Sequence, residues 1–133
     1  MGGPDQNHLL AVNAIAPAAE GSRELARQAR QLDGLLTRVP TSPEAAYLSK
    51  YDALMRVVEI WLLRHGFRFG RHPHAGLKRL LTSFGCEHEL VLRVVTVRHD
   101  IKKNGATVRD SDRARLDELL QRARATLMEE QPC

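Results

Sequence analysis

The chain has no apolar run approaching the roughly 20 residues that a membrane span needs. Its longest N-terminal candidate, Leu9 to Ala16, is broken by Asn13 and followed by Pro17, and no Lys or Arg precedes Arg23. Neither a signal peptide nor a membrane anchor is expected. Cysteine is limited to Cys86 and Cys133, too few for a disulfide framework, which points to a reducing cytoplasm. Lysine occurs only at positions 50, 78, 102 and 103 among the 20 Lys plus Arg, and the arginine excess reads as the codon usage of a GC-rich genome. Strand signals are scarce as well: the one strand-like run, Val91 to Val97, has no second candidate to pair with. Internal repeats and low-complexity tracts are missing.

What is present fits one ordinary domain. A chain of 133 residues is long enough for a single hydrophobic core. Its 43% apolar and 27% charged residues argue against disorder and against a fibrous repeat. A net charge of +4 and a pI near 9.5 are compatible with an anionic partner. Residues 1–21 are expected to be flexible or partly helical, with a short helix between His8 and Ala16. Residues 22–128 form the bundle, and 129–133 a flexible tail.

Helical periodicity dominates the bundle region. After Ser22 as N-cap, Leu25, Ala29, Leu32, Leu35 and Leu36 recur at three- and four-residue steps. Ser42-Pro43-Glu44 is a strong helix start: a side-chain acceptor, a proline where the missing N–H has no partner, and an acid at the positive end of the dipole. Tyr47, Leu48, Tyr51, Leu54, Met55, Val58, Trp61 and Leu62 then form one broad apolar face, ended by Gly66. A loop follows over residues 64–74. Pro73 opens a short helix that stops at Gly85, and Cys86 to Lys103 reads as a helix with an Asn104-Gly105 stop. Asp110 or Ser111 caps the last helix, which carries Leu116, Leu119, Leu120, Ala123 and Leu127. The fold class expected is an all-α antiparallel helical bundle of about five helices.

Two clusters carry chemistry. Arg98, His99 and Asp100, followed by Lys102 and Lys103, combine a permanent cation for phosphate with a group titrating near neutrality. Basic residues at a helix C-terminus also complement the negative end of its dipole, so this pattern has a purely structural explanation. The second cluster is Arg64, Arg68, Arg71, Lys78 and Arg79, with three histidines and no acid between residues 64 and 79. Phe67 and Phe69 interleave there as candidate stacking platforms for single-stranded RNA. A solvated loop anchored by two phenylalanines fits the same residues. His72-x-His74 and Cys86-x-His88 lack structural-zinc spacing, so no metal or other cofactor is expected.

The long helix AAYLSKYDALMRVVEIWLLRHG, the short helix after Pro73, the Arg-polar motif and the final helix together resemble a HEPN domain over residues 22–128. The resemblance implies a helical bundle that commonly dimerises, and ribonuclease activity in many members, often toxins. Other members bind nucleotides or accompany a nucleotidyltransferase. The family signature is an Arg, four to six residues, and a His, with a polar residue after the Arg. In one register Arg98 is the arginine, His99 the polar residue, and Lys103 stands where His or Tyr is expected. In the other, Arg93 is followed by five residues and His99, with Val94 at the polar position. The first register is preferred on structural grounds. The catalytic expectation is a metal-independent endoribonuclease in which His99 moves protons, Arg98 or Arg93 neutralises developing charge, and Lys102 and Lys103 hold backbone phosphates. Lys103 in place of His favours the alternative, a non-catalytic module that binds a partner such as a cognate toxin or antitoxin. A homodimer is expected in either case.

Overall fold

A computed structural model describes residues 9–10, 14–18 and 22–128. Most of the N-terminal segment expected to be flexible or partly helical, and the tail at 129–133, lie outside the described residues. Five helices carry the fold: α1 (Ser22–Thr37), α2 (Pro43–Arg64), α3 (Pro73–Ser83), α4 (His88–Asn104) and α5 (Asp110–Met128). The all-α bundle expected from the periodicity is what the chain forms.

Local chemistry sets the helix ends. The Ser42 hydroxyl accepts from the Ala45 amide at 3.0 Å, with Pro43 in the first turn of α2. At the end of α4, Gly105 adopts φ 62°, a left-handed conformation that glycine enters without a Cβ penalty. Its N–H returns to the Ile101 carbonyl at 3.2 Å, which stops the helix and turns the chain into α5.

Helix α2 is the centre of the core. Tyr47, Tyr51, Leu54, Val57, Val58 and Leu62 are fully enclosed, between α1 on one side and α5 on the other. The Tyr47 hydroxyl donates to the Val94 carbonyl of α4 at 2.8 Å, which satisfies a polar tip inside an apolar stripe. Glu44 accepts from the Val108 amide at 3.0 Å and so ties the start of α2 to the loop before α5.

Four local expectations are corrected. Residues 64–74 are not wholly irregular: strand β2 (Phe67–Phe69) pairs antiparallel with β1 (Ile15–Pro17), Ala16 opposite Arg68. Ile15 and Ala16, expected at the end of a helix, are therefore extended, whereas Leu9 and Leu10 are helical. Three-residue strands are too short to leave a period-two signal in sequence. Within β2, Phe69 is buried and Phe67 half-buried while Arg68 is exposed. The two phenylalanines anchor the ribbon to the core and are not exposed stacking platforms. Cys86 is also buried and disulfide-bonded, so cysteine usage gives no support for a reducing compartment.

The ribbon fixes where α3 begins. Tyr51 meets His74 and Trp61 meets Phe84, so after β2 carries the chain back, α3 runs beside α2 in the same direction. His74 thereby arrives at the middle of α2.

Candidate functional site

Arg98 continues the core stripe of α4. Val91 and Val94 are buried, and Arg98, one turn further on, is half-buried where that stripe reaches the surface. Its guanidinium carbon lies 5.4 Å from the centroid of the Tyr51 ring, within the range of a cation–π contact. The Tyr51 hydroxyl lies 2.9 Å from Nδ1 of His74. Three helices thus converge: α2 gives Tyr51, α3 gives His74 and α4 gives Arg98.

The electrostatics of the cluster follow from burial. Enclosure in the core pushes the Tyr51 phenol well above its ordinary pKa, so it stays protonated. Among the described residues, His74 is the one hydrogen-bond partner of that hydroxyl. A buried hydroxyl needs an acceptor, so Tyr51 donates to Nδ1. The neutral ring then carries its proton on Nε2. Desolvation, and after it the positive charge of Arg98, lowers the pKa of His74, with Asp52 acting weakly in the opposite direction. Arg98 forms no ion pair among the described residues.

The other expected site residues do not gather around Arg98. Adjacent helical positions point about 100° apart, so His99 leaves Arg98 for a different face, where it is exposed. Arg93 donates to Asp112 at 3.2 Å, and Arg115 reaches the same carboxylate oxygen at 3.2 Å. Arg93 therefore braces α4 against α5. Lys102 and Lys103 are exposed in the last turn of α4, and only Lys102, four residues on, shares the Arg98 face.

The basic stretch at 64–79 is likewise divided. Arg64 ends α2, about 20 Å along the helix from Tyr51 at 1.5 Å per residue. Arg68 projects from β2, and Arg71 is exposed just before α3. Lys78 lines a groove of about 440 Å³ between α3 and α4, together with Arg79, Thr82, Ser83, His88 and Leu92. Among the described residues, no carboxylate lines it.

At the level of sequence His74 figured only as a histidine of the basic stretch and, with His72, as a metal candidate, and Tyr51 as core. A signal was present: a tyrosine on an enclosed helical face needs a partner for its hydroxyl. The identity of that partner depended on the β2 return. Among the described residues, no three His, Cys, Asp or Glu side chains gather as a metal site, and no helix is long and apolar enough to cross a membrane. Comparison with protein-family models, curated proteins and solved structures finds no match.

Proposed function

We propose that this chain is a HEPN-like helical domain that binds RNA or a nucleotide through phosphate, acting as a homodimer. The observation that supports this best is Arg98: a half-buried guanidinium over the Tyr51 ring that also holds His74, with no ion-pair partner among the described residues. Phosphate is the ligand that an unpaired guanidinium and an N–H donor would favour. Lys102 on the same face extends the positive surface.

In its catalytic form the domain is a metal-independent endoribonuclease, with Arg98 neutralising charge at the scissile phosphate. A second reading, a non-catalytic module for a toxin or antitoxin partner, draws on Lys103 at the motif's histidine position and on the engagement of Arg93 with Asp112.

Fluorescence anisotropy with a labelled single-stranded oligoribonucleotide, at two salt concentrations, tests the binding reading. Affinity should fall with salt and with Arg98→Ala. Salt-independent binding, or none at all, rejects it. Cleavage of the same RNA in EDTA separates the catalytic from the non-catalytic form, and an His99→Ala variant with undiminished cleavage removes His99 from the chemistry. Light scattering of the pure protein checks the dimer.

A further inference from the structure

We infer that His74, and not His99, is the histidine that contacts a bound phosphodiester beside Arg98, with Tyr51 holding its ring so that Nε2–H is presented as the donor. This rests on Arg98 being a phosphate contact, and it deepens that reading by naming the second protein group on the ligand.

Position is the first argument. His74 and Arg98 are both held by one residue: the Tyr51 hydroxyl lies 2.9 Å from the imidazole and its ring centroid 5.4 Å from the guanidinium carbon. His99 stands on another face of α4. Orientation is the second. A histidine whose Nδ1 is occupied by a fixed donor is locked into one tautomer, so its remaining nitrogen has a set direction and a set proton. His99 is exposed, and no hydrogen bond among the described residues orients it.

Charge is the third. The groups facing His74 are Tyr51 and Asp52 from α2 and Arg98 from α4. Arg98 repels a protonated imidazole, and Asp52, exposed and not paired with Arg98, compensates only weakly. A phosphodiester oxygen between the two nitrogen groups would accept from both and remove the repulsion. It would also favour a protonated His74, the added proton going to Nδ1 and the Tyr51 hydroxyl turning from donor to acceptor. His74 is thus a positioning and binding residue that gains charge when ligand arrives.

The test is a pH titration of the histidine ring Cε1–H signals by NMR, on the full chain, free and saturated with a uridine decamer. The expected result is a rise of about one unit or more in the titration midpoint of His74, no comparable rise for His99, and loss of the rise in Arg98→Ala. His74→Gln should weaken decamer binding about tenfold at pH 6, less at pH 8, while its circular dichroism stays that of the parent. If His74→Gln misfolds, the titration of the unaltered protein still decides. Arg98-dependent binding with an unmoved His74 signal overturns this inference alone. Binding that ignores Arg98, or no binding, overturns the phosphate reading as well.

Discussion

The hydroxyl of Tyr51 and Nδ1 of His74 lie 2.9 Å apart, across 23 residues of sequence. That bond joins the middle of α2 to the first turn of α3 and completes a buried phenol that would otherwise lack an acceptor. Tyr51→Phe keeps the ring beneath Arg98 and removes only the bond. It should cost about 1 kcal/mol in urea unfolding and shift the imidazole tautomer mixture seen by nitrogen NMR. An unchanged tautomer would mean that Tyr51 does not set it.

His74 makes stability depend on pH in a stated direction. Its folded pKa lies below the ordinary histidine value of 6.5, chiefly through desolvation. Between the folded and unfolded values the unfolded chain binds more protons, so stability rises with pH across that window and is lost on acidification. Melting temperature should therefore fall from pH 7 to pH 5 with a slope that His74→Gln reduces. A variant with the parent slope would assign the effect elsewhere.

Asp112 is 3% exposed and receives Arg93 and Arg115, whose side chains are 44% and 45% exposed. Removing the carboxylate lets both arginines return to water, so Asp112→Ala should cost about 1 to 2 kcal/mol. Removing both arginines leaves a buried charge unpaired. The double variant Arg93→Ala, Arg115→Ala should cost more, about 2 to 3 kcal/mol. The reverse order in chemical denaturation would contradict this account of the α4–α5 contact.

Two glycines should respond oppositely to alanine. A Cβ at Gly76 would stand 2.6 Å from the Ala14 carbonyl oxygen and 3.2 Å from the Phe69 ring, whereas at Gly34 it meets nothing within 4 Å. Gly76→Ala should destabilise by about 1 to 3 kcal/mol and speed exchange of the Gly70 amide, which donates to that same carbonyl at 3.0 Å. Gly34→Ala, in the exposed interior of α1, should stabilise by about 0.5 to 1 kcal/mol. Equal effects in thermal melts would refute the close-approach explanation.

Much of the helical frame was legible because its signals are local. Ser42 and Pro43 mark the start of α2, and Gly105 the end of α4, through groups within one turn of the terminus. Tyr47 and Tyr51 were correctly placed in the core by their spacing with Leu54 and Val58. The β1–β2 ribbon was missed because three residues per strand give no period, and because Ile15 to Pro17 pairs with residues fifty or more positions away. The roles of the charged residues were less legible still. Nothing in the run Arg93 to Lys103 tells which cation turns to Asp112 and which to Tyr51.

By itself the sequence determined an all-α chain, where its helices begin and end, and which faces they bury, since capping and apolar periodicity act over a few residues. Tertiary structure decided which side chains share a site. It set Arg93 on Asp112, left His99 exposed, and brought His74 and Arg98 each against Tyr51, because those meetings depend on how β2 returns the chain and how α4 crosses α2.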